Sequence, residues 1–200
     1  VPNGINTEFF YPLPGIPRQP HRLLVTNSAD IPLKGLSYLL EAVAAVRRRR
    51  KVELVVIGRP KKNGDVERKV RELGIGDIIS FTGRIPYEAF AEQYAQATVA
   101  VIPSLYEGFG MPAGEAMACG VPVISTSGGA LPEVVGDAGI LVPPADAGAL
   151  SEAIQRLLDS PGERARLGEA ARERVNRSLT WRHAAEKTVE AYREAIHAHH

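Results

Sequence analysis

Two carboxylates flank a glycine-rich turn in the middle of the chain. Glu107 and Glu115 are separated by Gly-Phe-Gly-Met-Pro-Ala-Gly, and the apolar run 98–102 comes directly before them. The pattern predicts a strand, a loop whose glycines let backbone approach a ligand, and a helix with Pro112 at its first position. The N–H groups at a helix start have no partner within the helix and attract anions. Since carboxylates accept hydrogen bonds from hydroxyl groups, the turn predicts a site for a phosphate linked to a sugar.

The two carboxylates are expected at different ends of such a ligand. Glu115 falls in the first turn of the predicted helix, and we expect it to face paired hydroxyls, as on a ribose, because it would repel a phosphate in contact with it. Glu107 lies on the loop before the turn, nearer the other end of the ligand. The alternative is that Glu115 only complements the helix dipole and Glu107 is solvated.

A lysine follows the first predicted strand at a similar position. Lys34 stands before Gly35, at the start of the first predicted helix. Its ammonium can act as a point charge on phosphate oxygens, whereas most surface lysines have no such role. We favour the phosphate role because the loop belongs to the same edge of the predicted sheet as the anion site.

Short apolar runs alternate with longer amphipathic ones, which predicts strands and helices in turn. We expect strands at 23–26, 54–57, 78–81, 98–102, 121–125 and 140–142. We expect helices at 36–46, 66–73, 87–96, 112–119 and 131–135, then three more without an intervening strand at 149–158, 161–177 and 181–196. This order predicts one α/β domain, a doubly wound, Rossmann-like parallel sheet with extra C-terminal helices. In such sheets ligands bind beyond the carboxyl ends of the strands.

Composition restricts the other possibilities. The 200 residues carry a net charge of +1, which gives no reason to expect nucleic acid as a partner. No apolar run is long enough to span a bilayer, and no targeting segment is visible. Cys119 is the only cysteine, so an internal disulfide is impossible and a reducing, cytoplasmic location is expected. We expect Cys119 to be a small buried hydrophobic residue.

A basic run ends the first predicted helix. Residues 47–51 read Arg-Arg-Arg-Arg-Lys. Cations at a helix C-terminus complement the dipole, and the favoured interpretation is a solvated helix end. The alternative interpretation is that the run binds an anionic membrane surface. The protein would then be peripheral at the inner membrane face.

Several motifs together resemble the carboxyl-terminal domain of family 4 retaining glycosyltransferases, which have the GT-B architecture. Their order and spacing are specific as a set, and they cover nearly the whole chain. They are Val1-Pro2-Asn3-Gly4, Lys34-Gly35, the Glu107-x7-Glu115 segment with residues 116–123, Gly128-Gly129-Ala130-Leu131-Pro132-Glu133, and residues 139–144.

The resemblance implies roles for these residues. Glu115 would hold the ribose of a nucleotide-sugar donor, Glu107 would face the donor sugar near the reacting carbon, and Lys34 would neutralise the diphosphate. Backbone N–H groups around Phe109–Met111 would touch sugar hydroxyls and phosphate. The donor-binding stretch of this turn comprises Gly108, Phe109, Gly110 and Met111.

The same resemblance implies where the nucleotide base would lie, and it shows one position at which this chain differs from its relatives. The base would lie near the Gly83-Arg84-Ile85 loop, held largely by backbone. Many relatives carry an arginine six residues before the lysine as a second phosphate clamp, and Ser28 stands there in this chain. Arg59 is a candidate substitute. The family generally needs no bound metal and no cofactor beyond the donor itself.

We therefore expect residues 1–200 to be the nucleotide-sugar-binding domain of a longer two-domain glycosyltransferase. The missing N-terminal domain would bind the acceptor. The resemblance implies that the terminal helix, within 181–200, crosses to that domain, and the alternatives in this chain are that it packs locally, pairs with a neighbour or has no partner. Such a fragment would bind donor and catalyse little. Alternatives are a non-catalytic module that binds a nucleotide or sugar phosphate, and another GT-B enzyme such as a phosphorylase or a sugar-nucleotide epimerase.

Overall fold

The computed structural model describes residues 3–26 and 31–198, and within them the strands form one parallel sheet. The strands are β1 (Arg22–Thr26), β2 (Glu53–Ile57), β3 (Ile79–Phe81), β4 (Val99–Ile102), β5 (Val123–Thr126) and β6 (Ile140–Val142). Their order across the sheet is β3-β2-β1-β4-β5-β6. This is a doubly wound sheet, and the predicted α/β fold class is confirmed.

Helices connect the strands and cover both faces of the sheet. They are α1 (Leu36–Arg47), α2 (Asp65–Leu73), α3 (Ala89–Gln96), α4 (Met111–Ala118), α5 (Leu131–Val135), α6 (Ala147–Asp159), α7 (Pro161–Ser178) and α8 (Trp181–His197). A short 3-10 turn, Pro32–Lys34, precedes α1. The predicted helix at 87–96 begins two residues later than expected, because residues 86–90 first make a turn in which Ala89 N–H bonds to the Pro86 carbonyl.

Each central strand is buried on both faces. In β1, Leu23 and Val25 point into a core layer shared with α1 and α6, whereas Leu24 points into the layer formed with α3 and α4. A parallel strand between two helical layers must be apolar on both sides, which explains the unbroken aliphatic runs in the sequence. Cys119 is also buried, as predicted, and burial raises the pKa of its thiol to about 12.

The strand order reverses between β1 and β4. β1 pairs with β2 on one side and with β4 on the other, with Leu23 opposite Val99. The connections after β1 and β4 therefore turn to opposite faces of the sheet and leave a crevice between them. A backbone hydrogen bond from Leu105 N–H to the Leu33 carbonyl, 2.8 Å long, joins the two loops at this point.

The three C-terminal helices differ in how many of their side chains are buried. α6 packs on α1 and α7 packs on α4, and each of α6, α7 and α8 begins at a side-chain cap, from Asp146, Ser160 and Thr180. Within α8, Ala184 alone is buried. Between residues 3–26 and 31–198 no helix combines the length and the apolar character that crossing a membrane requires.

Candidate functional site

A cavity of about 600 Å³ opens at the carboxyl ends of the strands, beside the crevice between β1 and β4. Its walls come from the loops after β1, β2, β3 and β4 and from the start of α4. Six of the predicted site residues line it: Lys34, Arg59, Arg84, Ile85, Glu107 and Glu115. Lys34 and Glu115 thus face one common cleft, where a single ligand can contact both.

Lys34 and Glu107 form an ion pair across the crevice. Lys34 Nζ lies 2.7 Å from Glu107 Oε1, and Ser104 Oγ donates a hydrogen bond of 2.8 Å to the same oxygen. The Glu107 side chain is only 11% exposed, so its charge is held in a partly desolvated place. In the described ranges no hydrogen bond uses Glu107 Oε2, and the remaining N–H donors of Lys34 are likewise unused. Both groups therefore keep bonding capacity for a ligand.

Two glycines allow the loops to come this close. Gly35, before α1, has φ +65°, and a Cβ there would lie 1.9 Å from the Pro103 carbonyl oxygen. Gly129, after β5, also has φ +65°, and its Cβ would lie 2.2 Å from the Glu107 carbonyl oxygen. That same oxygen accepts a hydrogen bond of 2.9 Å from Ala130 N–H. Only glycine permits these approaches, so the backbone around Lys34 and Glu107 is set by neighbouring loops.

Ser104 was not predicted from the sequence. It is buried, directly after β4, and Thr126 at the end of β5 donates its hydroxyl proton to the Ser104 carbonyl. These contacts hold the Ser104 hydroxyl against Glu107. The available indication was its place as a polar residue immediately after a buried strand, where parallel sheets collect functional groups.

The start of α4 corrects one prediction. Gly110 is the N-cap, with φ +98°, and the helix begins at Met111 rather than at Pro112. Proline is tolerated at the second position because the N–H groups of the first turn have no helical partner anyway. Glu115 therefore lies in the second turn, and the prediction that placed it in the first turn is wrong. From the second turn its side chain still lines the cavity.

The glycine-rich turn supplies backbone groups rather than side chains. Phe109 and Met111 pack their side chains against the core, and a Cβ on Gly108 would meet nothing within 4 Å. Within residues 3–26 and 31–198, no hydrogen bond uses the N–H groups of Gly108, Phe109 or Gly110. Residues 108–111 are not among those that line the cavity, so the predicted amide contacts would lie at its margin.

Glu115 has a buried hydrogen-bond donor. Tyr94, on α3, is 1% exposed, and its hydroxyl donates to Glu115 Oε2 at 3.1 Å. Burial raises the pKa of Glu115 above its usual value, while the hydrogen bond from Tyr94 opposes that rise. Burial and then the charge of Glu115 raise the pKa of Tyr94 well above its usual range, so the phenol is a neutral donor. Tyr94 was missed because its place among alanines on a helix looks like ordinary core.

Two arginines stand at the other end of the cavity. The loops after β2 and β3 are joined by a hydrogen bond of 3.1 Å from Gly83 N–H to the Gly58 carbonyl. Arg59 and Arg84, the next residues in each loop, are exposed at the rim, and no carboxylate pairs with either in the described ranges. Ser28 lies outside the described residues. That Arg59 takes the place of the usual phosphate-binding arginine stays a prediction.

The basic run at the end of α1 is partly neutralised. Arg47 forms a two-pronged pair with Asp77, with distances of 2.5 and 2.8 Å, and Arg50 pairs with Asp159. Such pairing supports the interpretation of a structural helix end. The alternative of a patch for anionic lipid stays a prediction.

No cluster of three or more histidine, cysteine or carboxylate side chains that could hold a metal ion occurs in the part of the chain that the structure describes. That activity needs no bound metal stays a prediction.

The fold is that of one Rossmann-like half of a GT-B glycosyltransferase. The chain belongs to the family of glycosyl transferases group 1, whose family model matches residues 17–174. The MMP alpha-(1->4)-mannosyltransferase of Mycolicibacterium hassiacum is 46% identical over 199 residues, which cover 98% of this chain and 48% of that protein. The chain thus spans about half the length of the curated relatives that it matches.

Solved structures confirm the fold. A sucrose-phosphate synthase from Thermosynechococcus elongatus is 34% identical, with a TM-score of 0.85 over 99% of this chain and 52% of that one. An Anabaena protein, HepE, solved in complex with UDP and glucose, has a TM-score of 0.84 at 19% identity over 96% of this chain and 56% of that one. At that identity the likeness concerns the fold alone.

Proposed function

We propose that this chain is the donor-binding, carboxyl-terminal half of a retaining glycosyltransferase that transfers a sugar from a nucleoside-diphosphate sugar to an acceptor. The observation that carries the proposal is the convergence of Lys34, Glu107 and Glu115 on one cavity at the switch point of the sheet. A cation, two separated carboxylates and unused backbone amides match the charges and hydroxyls of such a donor.

The cavity suggests how the donor lies. The base would sit between Arg84 and Ile85 at the rim, and the ribose hydroxyls would meet Glu115. The diphosphate would lie near Lys34 and the start of α4, where cation and helix dipole both favour negative charge. The transferred sugar would then reach Glu107. This order follows from the repulsion between phosphate and either carboxylate, because it places each acid against hydroxyl groups.

The proposed reaction develops charge at two places. The bond between the anomeric carbon and the diphosphate oxygen breaks, so negative charge grows on the leaving group and positive charge on the sugar. The unused N–H donors of Lys34 and the amides before α4 would stabilise the leaving group as it departs. Glu107, through Oε2, would orient the sugar. We assign it no role as a base.

The relatives support this proposal in outline. The Mycolicibacterium hassiacum relative is by name a mannosyltransferase, and the Anabaena neighbour was solved with UDP and glucose. Since the chain spans about half of its curated relatives, we propose that the acceptor site lies in the other half. This chain by itself would bind donor and transfer little.

The test is a thermal-shift and calorimetric screen of the chain against UDP, GDP, ADP and their common sugars. A nucleotide at about 100 times its dissociation constant should stabilise the fold by about 2.7 kcal/mol. Lys34→Met and Glu115→Gln should weaken that binding, whereas Glu152→Gln, on the exposed face of α6, should not. If no nucleotide or nucleotide sugar binds, the proposal is wrong.

A second measurement separates an enzyme from a non-catalytic module. The two-domain protein should transfer or hydrolyse the sugar of the nucleotide that binds most tightly, with retained anomeric configuration. Tight binding without any turnover of that nucleotide sugar would favour the module. We also propose that binding needs no metal, so EDTA should leave the affinity unchanged.

A further inference from the structure

We propose that Tyr94 is a positioning residue that fixes the Glu115 carboxylate for the ribose hydroxyls of the donor. The inference rests on the proposed function for the identity of the ligand. It adds a residue that lies behind the cavity wall and has no place among the residues that line it.

The two carboxylate oxygens of Glu115 differ in their hydrogen bonding. Oε2 accepts the hydrogen bond from the Tyr94 hydroxyl at 3.1 Å. Oε1 has no hydrogen-bond partner within the described ranges. One oxygen is therefore held from behind by a buried phenol, and the other is left to accept hydrogen bonds from a ligand.

The phenol ring is tightly packed. Tyr94 is 1% exposed, and the ring of Phe10 meets it edge-on with centroids 6.0 Å apart. α3 is tied to the start of β1, because the Arg22 guanidinium donates hydrogen bonds to Gln93 at 2.5 Å and to Gln96 at 2.9 Å. With the helix and the ring both held, the hydroxyl points towards α4.

A second acceptor keeps the Tyr94 hydroxyl paired in either charge state of Glu115, although the bond to the ionised carboxylate is the stronger one. The Tyr94 hydroxyl also lies 3.3 Å from the Pro112 carbonyl oxygen, at the start of α4. When Glu115 is ionised, the phenol proton points to the carboxylate, the stronger acceptor. When Glu115 is protonated, the carboxyl proton can point to the phenol oxygen, and the phenol proton turns to Pro112. The carboxyl group stays in place in both states, but only the ionised form keeps its full capacity to accept hydrogen bonds.

Other titratable groups near Glu115 are few. The charge of Glu115 raises the pKa of Tyr87, just before α3, and of Cys119, directly after α4. Thr26, on β1, lowers the pKa of Tyr94 slightly against the effect of burial. Lys34, Glu107, Arg59 and Arg84 line the same cavity. Burial raises the pKa of Glu115 and the Tyr94 hydrogen bond acts against it, so removing the phenol should raise that pKa further.

The first test needs no ligand. Tyr94→Phe removes one oxygen and keeps the ring in the core. The Glu115 carboxyl would be titrated by carbon-13 NMR, with Glu115→Gln used to assign its signal. We expect the midpoint to move to higher pH in Tyr94→Phe and to stay unchanged in Tyr38→Phe. Tyr38, on α1, is a matched control because it is partly buried and its hydroxyl makes no hydrogen bond within the described ranges.

The second test measures how much the ribose 2′-hydroxyl contributes to nucleotide affinity. Calorimetry would compare UDP, GDP and ADP with their 2′-deoxy forms, in wild type, Tyr94→Phe and Tyr38→Phe, at a pH where Glu115 is ionised in all of them. Wild type and Tyr38→Phe should prefer the ribonucleotide by about tenfold, the effect of one hydrogen bond to a charged group. In Tyr94→Phe this preference should shrink to a few-fold, while the circular dichroism spectrum stays that of the wild type.

The outcomes separate the two proposals. If no nucleotide binds the wild type, both the proposed function and the ribose role of Glu115 are wrong. The NMR titration still shows whether Tyr94 affects the pKa of the Glu115 carboxyl. If nucleotides bind and Tyr94→Phe matches the wild type in both the NMR midpoint and the ribose preference, the role of Tyr94 is overturned and the proposed function stands. Equal affinity of wild type for the ribose and deoxyribose forms would also overturn the proposed role of Tyr94.

Discussion

The ammonium of Lys34 lies 2.7 Å from Glu107 Oε1, although the two are 73 positions apart in sequence. The contact exists because β1 and β4 are neighbours in the sheet, so the loops that follow them meet. The pair keeps the cation in the cavity without a ligand and orients the carboxylate towards it. A cation already in position loses less side-chain entropy when phosphate arrives.

Removing the ammonium should weaken diphosphate binding selectively. Lys34→Met keeps the apolar part of the side chain, and we expect the dissociation constant of UDP, or of whichever nucleotide binds best, to rise about 10- to 100-fold. The affinity for the corresponding nucleoside should barely change, because it carries no phosphate. Calorimetry at constant ionic strength measures both. Lys62→Met, on an exposed loop, serves as the control, and an equal loss for nucleoside and nucleotide would contradict the assignment.

Glu115 should make the ligand-free fold less stable as pH rises. Burial raises its pKa in the folded state above the unfolded value, so the folded state binds more protons in the window between the two values. The free energy of unfolding therefore falls as pH increases from the unfolded pKa through the folded one. Glu115→Gln has no charge to bury, and should be more stable than wild type near neutral pH.

Thermal unfolding of wild type and Glu115→Gln across the acid-to-neutral range measures this difference. The advantage of Glu115→Gln should disappear at acid pH, where Glu115 is protonated in both states. Glu152→Gln, with an exposed carboxyl, should follow the wild type at every pH. A Glu115→Gln variant that is less stable than wild type at neutral pH would mean that the carboxylate stabilises the empty site.

Gly129 should tolerate no side chain. Its φ of +65° and the distance of 2.2 Å from a Cβ to the Glu107 carbonyl oxygen combine backbone strain with a clash against backbone. Gly129→Ala should lower the free energy of unfolding by about 1–3 kcal/mol from backbone strain alone. The clash should also displace the Glu107 loop. Urea unfolding and nucleotide binding should both be impaired. Gly162→Ala, at the start of α7 where a Cβ meets nothing within 4 Å, should be neutral or slightly stabilising.

Arg47 should matter to stability more than its neighbour in the basic run. Its guanidinium holds Asp77 with two hydrogen bonds, whereas Arg48 makes no ion pair within the described ranges. Arg47→Gln should lower the free energy of unfolding by up to about 1 kcal/mol, and Arg48→Gln should leave it nearly unchanged. Urea unfolding at low and high salt measures both. Flotation with phosphatidylserine vesicles tests the lipid alternative, which would require binding that both substitutions weaken.

Much of the framework could be predicted from local patterns. Strand and helix positions follow from short-range periodicity, because burial on both faces of a strand and on one side of a helix leaves a direct mark on residue order. The end of each strand then marks the edge where Lys34 and Glu107 must lie. Helix starts were less certain. The local pattern around Gly110 and Pro112 allows either of two first residues, and the choice moved Glu115 from the first turn to the second.

By itself the sequence determined the fold class, the edge of the sheet that carries the candidate site, and the charged residues on that edge. Tertiary structure alone decided which of them touch. Lys34 meets Glu107, Ser104 supports that carboxylate, and Tyr94 holds Glu115 from behind. These contacts depend on which strands and helices become neighbours and on how closely glycine lets loops approach. Periodicity reports whether a residue is buried, but the identity of its partner is set only when distant segments pack together.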